Sequence, residues 1–181
     1  MSVTVKRWTW EDIKGRPEFH GRTEIVDGEL VMSPVPSLRH QRISSQLCVE
    51  IRPFVAGRQL GEFFCNPLHI VLAEHVHYEP DLCFISKARL PKGNVPKFDG
   101  PPDLVIEVIP ESNRDHDIVT KFRDYERCGV REYWLVDPDK DQIEVWFLDR
   151  ARYVSLGKFG PGQPVVTRLL EGLNLDPARV F

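Results

Sequence analysis

The chain has 181 residues, a length that suits a single domain with a buried core. Its composition, with 41% hydrophobic and 28% charged residues, is that of a soluble globular protein rather than a disordered one. Its net charge of −3 excludes a general electrostatic attraction to nucleic acid, so any binding of DNA would need a local basic patch.

The apolar pattern and the cysteine spacing of the chain predict its location and the state of its thiols. No apolar run is long enough to span a membrane, and the N-terminal segment lacks the apolar core of a signal peptide. We therefore expect a cytoplasmic protein without membrane contact. The cysteines show no CxxC spacing, unlike those of a zinc ribbon. The sequence thus predicts reduced, buried thiols at Cys48, Cys65, Cys83 and Cys128.

The N-terminal part of the chain predicts a short helix, a hairpin and a long helix. Thr9 would cap the short helix. Asp27-Gly28 separates two short β-rich segments and is the strongest hairpin signal in the chain, which we interpret as turn chemistry alone. Residues 37–55 carry apolar side chains at helical spacing. Pro53 is expected to stop or kink that helix near its end.

The rest of the chain predicts strands around a second helix. Residues 61–72, 80–85 and 102–109 are strand-like, with a polar Pro- and Gly-rich loop before the last of them. A helix follows that ends at Gly129. Three further strands are predicted at 132–137, 142–148 and 152–157. This order predicts a mixed α/β (α+β) fold, with a single central sheet flanked by helices and an N-terminal hairpin.

Glu107 lies in the middle of an apolar strand, at residues 104–109, where an unpaired carboxylate would be costly. Asp103 is about 13 Å away along the same strand, too far to share one ion. Asp81 heads the preceding strand and would converge with Glu107 if the two strands are neighbours. Two close carboxylates repel unless a proton or cation lies between them. A Mg²⁺ or Mn²⁺ ion would resolve this repulsion, and the alternative is a structural pair satisfied by arginine or backbone N–H groups.

Lys121 lies at the border of the apolar face of the second helix, between Ile118 and Phe122. From there its ammonium could reach over the sheet toward the two carboxylates, hold a water molecule and balance charge on a phosphate oxygen. The alternative is a solvated lysine paired with Asp117 at i,i+4 spacing. Two acids and a lysine around a hard cation predict metal-assisted phosphodiester hydrolysis.

Several motifs in one order resemble the PD-(D/E)XK nuclease superfamily, and within it the bacterial Uma-type family of predicted restriction endonucleases. The matching residues are Glu24, Asp27, Gly28 and Glu29, then His40, 80–82, 102–108, Asp117, Lys121, Tyr125 and 129–137. The superfamily lysine lies two residues after the glutamate, where this chain has Ile109. In the Uma-type family the helix carries the lysine instead, as Lys121 does here.

The resemblance implies a restriction-endonuclease-like domain over residues 1–181, with a nuclease core at about 20–148. It implies a Mg²⁺- or Mn²⁺-dependent DNA endonuclease without an organic cofactor, and a homodimer able to cut both strands. Asp81, Glu107 and the Val108 carbonyl would hold the metal, and Lys121 would position the water. Possible accessory residues are Glu29, His40 and Asp117.

Other interpretations stay open at this stage. A second hypothesis is a non-catalytic module that keeps the fold and binds nucleic acid or protein. A zinc site at His69, His75 and His77 is disfavoured because no fourth ligand is evident. Asp103 is expected to orient the loop before its strand, and Tyr133-Trp134 to lie in the core. A basic rim for DNA and a solvated loop explain equally well the cations Lys87, Arg89, Lys92, Lys97 and Arg114.

Overall fold

The structure of the protein is a computed structural model. The structure describes residues 6–19, 23–32, 35–110 and 114–181, with side chains for all of these except Pro17 and residues 114–117. The helices are α1 (Trp10–Ile13), α2 (Leu38–Gly57) and α3 (Arg114–Cys128). The strands are β1 (Thr23–Val26), β2 (Glu29–Met32), β3 (Gly61–Phe64), β4 (Ile70–Ala73), β5 (Val76–Tyr78), β6 (Leu82–Ser86), β7 (Phe98–Asp99), β8 (Leu104–Val108), β9 (Glu132–Asp137), β10 (Gln142–Asp149) and β11 (Arg152–Phe159).

The strands form two sheets rather than the single sheet expected. A six-stranded mixed sheet has the order β11-β10-β9-β8-β6-β3, and a five-stranded sheet has the order β2-β1-β5-β4-β7. In the larger sheet β8 and β9 are parallel and the other neighbours are antiparallel. The mixed α+β class, the central mixed sheet and the N-terminal hairpin are confirmed.

The second sheet arises in part because the single strand expected at residues 61–72 is divided in two. The expected continuous strand divides into β3, which joins the six-stranded sheet, and β4, which joins the five-stranded one. The break falls at Pro67, in a segment between the two strands. Proline lacks the N–H that a ladder needs and is therefore found at strand interruptions. Because apolar residues lie on both sides of the break, the sequence pattern indicates one continuous strand.

The two faces of the six-stranded sheet bury different layers. One face packs against α2 and the C-terminal segment, and the apolar residues that these contribute are Ile43, Leu47, Ile51, Val55, Val165, Leu170, Leu175 and Val180. The other face packs against α3 and the five-stranded sheet, which contribute Ile70, Val76, Tyr78 and Tyr125. Tyr133 and Trp134 are both fully buried, as expected, on opposite faces of β9.

Helix α2 continues through Pro53 to Gly57, so of the two effects expected of the proline, a stop or a kink, the stop is wrong. A proline removes one N–H donor from the hydrogen-bond ladder of a helix. Only the last turn of α2 follows Pro53, so few helical hydrogen bonds are affected. The expected N-cap at Thr9 is confirmed: the Asp12 carboxylate accepts hydrogen bonds from the Thr9 backbone N–H and hydroxyl. Helix α3 ends at Gly129 with φ of 88° and amide bonds back to Tyr125 and Glu126, as predicted.

The hairpin turn is confirmed, but Asp27 has a second role. Asp27 and Gly28 have φ of 48° and 88°, as a two-residue hairpin turn requires. The Asp27 carboxylate also accepts hydrogen bonds from Arg123 at 3.2 Å and Arg127 at 2.9 Å, both on α3. The turn therefore fixes the hairpin against α3, beyond the turn chemistry expected of it.

Two of the four cysteines are bonded, so the expectation of reduced thiols is wrong for them. Cys48 on α2 and Cys65 just after β3 form a disulfide, with their Cα atoms 5.7 Å apart. The pairing arises because α2 packs beside β3, a tertiary contact that cysteine spacing alone does not reveal. Cys83 and Cys128 are free, and burial raises the pKa of the Cys83 thiol to about 12, so it stays protonated.

Among the helices of the described residues, none combines the length and apolarity needed to cross a membrane.

The C-terminal segment is held to the core by a buried carboxylate. Glu132 is fully buried and accepts hydrogen bonds from Trp134 Nε1, Thr167 Oγ1 and the amides of Arg168 and Leu169. Neutralising it while keeping its shape, by Glu132→Gln, should lower the unfolding free energy by about 2 kcal/mol, since bonds to a charged acceptor weaken and an amide group faces donors. Urea denaturation measures this.

The matched control is Glu171→Gln, an exposed residue in the same segment. We expect it to change stability by less than about 0.5 kcal/mol. Equal stability of the Glu132→Gln variant and the wild type would contradict this role of Glu132.

Candidate active site

Asp81, just before β6, and Glu107, in β8, lie at the same end of two neighbouring strands. β6 runs antiparallel to β8, with Leu82 opposite Ile106. Asp81 immediately precedes β6, and its Oδ2 accepts a hydrogen bond from the N–H of Val108, the residue next to Glu107. Asp81 and Glu107 are both 7% exposed. The sequence expectation depended on these strands being neighbours, and they are.

Asp81 is held by groups from two other elements. Its Oδ2 accepts a hydrogen bond from the Val108 backbone N–H at 2.8 Å and lies 3.1 Å from His40 Nε2. His40 reaches this position because it occupies the first turn of α2, where the Ser37 side chain caps the helix by accepting from the His40 N–H. The loop–helix junction therefore fixes the imidazole beside the carboxylate.

The side chain of Glu107 points toward α3. Its Oε1 accepts hydrogen bonds from Lys121 Nζ at 3.2 Å and from the Tyr125 hydroxyl at 2.7 Å. Lys121 and Tyr125 are four residues apart and so lie on one face of the helix. The ammonium of Lys121 also lies 2.9 Å from Glu24 Oε1 on β1. A buried cation between two glutamates thus joins α3 to both sheets.

Two buried tyrosines keep their protons beside these acids. Burial, followed by the charges of Glu107 and Glu24, raises the pKa of Tyr125 well above its ordinary value. Burial and a hydrogen bond to Asp124, at 2.6 Å, likewise raise the pKa of Tyr78. The Tyr78 ring centre lies 5.5 Å from Lys121 Nζ, in range of a cation–π contact. Tyr125 therefore acts as a fixed hydrogen-bond donor to Glu107.

A small cavity adjoins Glu107 and Lys121. Its volume is about 20 Å³, enough for one water molecule. Ile109, Ile118 and Leu135 line both this cavity and a second one of about 210 Å³, whose other walls include Lys140 and Lys158. Glu107 is thus separated by shared apolar residues from a recess that charged side chains line.

The donor set fits a hard divalent cation with oxygen ligands. In an antiparallel ladder the N–H and C=O of one residue point to the same neighbouring strand. The Val108 N–H bonds to Asp81, so the Val108 carbonyl lies on that side too. Two carboxylates and one carbonyl, with water completing the shell, suit Mg²⁺ or Mn²⁺. Among the described residues no group of three His, Cys, Asp or Glu side chains could hold a metal ion.

Comparisons with known proteins give the family. The sequence model of the Uma2 family, described as "Putative restriction endonuclease", matches residues 10–178. The chain belongs to the Uma2 family. A crystal structure of a protein from Anabaena variabilis, described as a putative nuclease belonging to DUF820, is similar to the chain with a TM-score of 0.82. The two are 21% identical, and the similarity covers 96% of this chain and 97% of that one. A comparison with curated proteins found no match.

The structure places the accessory residues differently from one another. His40 is buried beside Asp81. Glu29, the last position of the Uma2-type hairpin motif, is exposed at the start of β2, whereas Glu24 at the first position contacts Lys121. Asp117 lies in the first turn of α3, and its side chain is outside the described residues, as is that of Arg114.

The remaining sequence expectations have structural explanations. Asp103 is buried, accepts from the Ser86 amide, and pairs with Arg89 and Arg131, so it anchors its loop as expected. Lys97 pairs with Asp99. Arg89 and Lys97, two of the cations of the expected basic rim, are thus paired with acidic residues of their own loop. His69 lies 2.9 Å from Glu79 Oε1.

Glu24 and Tyr125 are the members of the site that sequence reasoning missed. Both positions belong to the motifs shared with Uma2-type proteins, but neither motif indicates which side chain they contact. A buried glutamate in a short strand, like Glu24 in TEIV, raises the same question as Glu107 and could have been treated the same way.

Proposed function

We propose that the protein is a Mg²⁺- or Mn²⁺-dependent endonuclease that hydrolyses phosphodiester bonds in DNA. The observation that carries the proposal is the contact of Asp81, just before β6, with the Val108 N–H at the end of β8, next to Glu107, together with the hydrogen bond from Lys121 to Glu107. Its membership of a family described as "Putative restriction endonuclease" supports the same reaction class.

Asp81, Glu107 and the Val108 carbonyl would hold the metal. When bound, the ion would supply charge stabilisation at the phosphate that is attacked. The Val108 amide and His40 fix the Asp81 carboxylate, and Tyr125 fixes that of Glu107. These contacts hold the metal-binding oxygens in place before substrate arrives, which reduces the reorganisation that catalysis would require.

Lys121 would position the attacking water and donate to a phosphate oxygen. The cavity for one water molecule lies beside its ammonium and the Glu107 carboxylate. The contact with Glu24 keeps the ammonium over the sheet rather than in solvent. Glu24 is therefore a positioning residue, because it acts through Lys121.

Cleavage of both strands of a duplex requires two such sites, so we propose a homodimer as the active form. Since DNA is the proposed substrate, the cytoplasm is the proposed location.

Incubation with supercoiled plasmid tests the function. We expect nicked circles to accumulate in Mn²⁺ or Mg²⁺ and to disappear when EDTA is added. The same protein should be assayed on single-stranded DNA and RNA. If none of these substrates is cut in either metal, the non-catalytic binding module replaces the nuclease as the better explanation.

A further inference from the structure

A cavity of about 600 Å³ lies between the N-terminal segment and the five-stranded sheet. None of its lining residues borders the cavity beside Glu107. Its walls include two aromatic rings, two cations and a hydroxyl group, which belong to Trp10, Phe19, Lys14, Arg16 and Thr23. Sites for small ligands have volumes of this size and combine apolar walls with a few polar groups.

The cavity lies on the face of β1 that points away from the candidate active site. Neighbouring residues in a strand project to opposite faces, and Glu24 projects toward Lys121. Thr23 therefore projects the other way. It is 2% exposed, and its hydroxyl has no hydrogen-bond partner among the described residues. A buried hydroxyl is normally satisfied. Because Thr23 lines the cavity, a ligand bound there would supply the missing partner once rotation about χ1 turns the hydroxyl toward it.

The ion pairs that the described residues form with the cations at the rim are weak and exposed. Lys14 pairs with Glu11, and Arg16 lies 3.8 Å from Glu18, with all four side chains about half exposed or more. Exposed pairs of this kind contribute little stability and are readily exchanged for another anion. The planar guanidinium of Arg16 matches a phosphate group, and Lys14 adds a second positive charge.

The aromatic side of the cavity is rigidly built. The Trp10 ring meets the His69 ring edge to face, with centroids 4.6 Å apart. The His69 Nδ1 lies 2.9 Å from Glu79 Oε1. An aromatic ring held in this way offers a surface on which a nucleobase stacks without losing side-chain freedom.

We propose that this cavity binds a nucleotide, with the base against the rings of Trp10 and Phe19 and the phosphate at Lys14 and Arg16. The Thr23 hydroxyl then bonds to a polar edge of the base or sugar. The nucleotide is either free or part of a nucleic acid strand, and both present the same chemistry. The proposal goes beyond the proposed function and does not depend on phosphodiester cleavage.

Calorimetric titration in EDTA tests the site without any contribution from cleavage. Deoxyadenosine monophosphate should bind the full-length protein at one site. Lys14→Gln with Arg16→Gln should weaken its binding by about tenfold or more, because charge-assisted bonds to the phosphate are lost, and should leave deoxyadenosine binding unchanged.

A second variant addresses the interior of the cavity. Thr23→Val keeps the side-chain shape and should weaken binding of both ligands by about fivefold, the scale of one hydrogen bond. It removes an unsatisfied buried hydroxyl, so its melting temperature should equal or exceed that of the wild type. The charge-matched control is Arg52→Gln with Arg150→Gln, two exposed cations outside the cavity, which should bind as the wild type does.

A single-stranded hexadeoxynucleotide separates the two sources. Binding about tenfold tighter than that of the mononucleotide, lost with the same variants, assigns the cavity to a strand. Equal affinities assign it to a free nucleotide. The proposal is overturned if neither probe binds, or if the Lys14/Arg16 and Thr23 variants bind both probes as tightly as the control does.

Discussion

Glu107→Gln is expected to abolish plasmid cleavage, with activity falling by about 10³-fold or more, because the change removes one of the two charges proposed to hold the metal. The substitution is nearly isosteric. Its amide oxygen can still accept from Tyr125 and Lys121, the partners that Glu107 Oε1 has now. Lys121 also keeps its contact with Glu24. The fold should therefore survive, and the loss should be chemical.

The matched control for this experiment is Glu171→Gln, the same chemical change at an exposed position in the C-terminal segment. It should cut plasmid at the wild-type rate. Gel quantification of nicked circles against time, with both variants at equal concentration, measures the ratio. A Glu107→Gln protein that nicks DNA at a rate within about threefold of the control would remove Glu107 from the mechanism.

Lys121→Met is expected to reduce both cleavage and stability. Cleavage should fall by about 10²-fold or more, the scale on which one transition-state donor contributes. The unfolding free energy should fall by about 3 kcal/mol, because two buried carboxylates lose the cation between them. The Lys121 side chain is 8% exposed, and those of Glu24 and Glu107 are 1% and 9% exposed, so bulk solvent cannot solvate the two carboxylates in place of the ammonium.

A double variant separates the two effects. Adding Glu24→Gln to Lys121→Met removes the charge of one of the two carboxylates that Lys121 contacts. This second change should restore about half of the lost stability. Cleavage should stay as low as in the single variant. If the double variant regains wild-type cleavage together with stability, Lys121 serves only the fold, and the mechanism loses its water-positioning group.

The central pair of the site was predictable because it depends on local information. An acid inside an apolar strand is costly, and strands close in sequence are usually neighbours. Those two facts place Glu107 beside Asp81. β6 and β8 are neighbours although the short strand β7 between them joins the other sheet. The helical spacing of Lys121 and Tyr125 relative to Ile118 and Phe122 also indicates which face of α3 packs on the sheet, and the structure confirms that face.

What sequence reasoning missed depends on contacts between distant segments. Glu24 is 97 residues from Lys121, and no periodicity in either segment relates them. The division of the strands into two sheets depends on how β4 and β5 pair with the hairpin. The disulfide between Cys48 and Cys65 depends on α2 lying beside β3. Each of these is a property of the packed chain rather than of a local pattern.

The proposed metal site can be tested by anomalous diffraction from crystals soaked in Mn²⁺. We expect one strong peak within about 2.3 Å of a carboxylate oxygen of both Asp81 and Glu107, with the Val108 carbonyl as a third ligand. Crystals of the Glu107→Gln variant should show that peak lost or much weaker. Wild-type crystals with no peak between Asp81 and Glu107, at a Mn²⁺ concentration that supports cleavage, would show that these residues do not hold the metal.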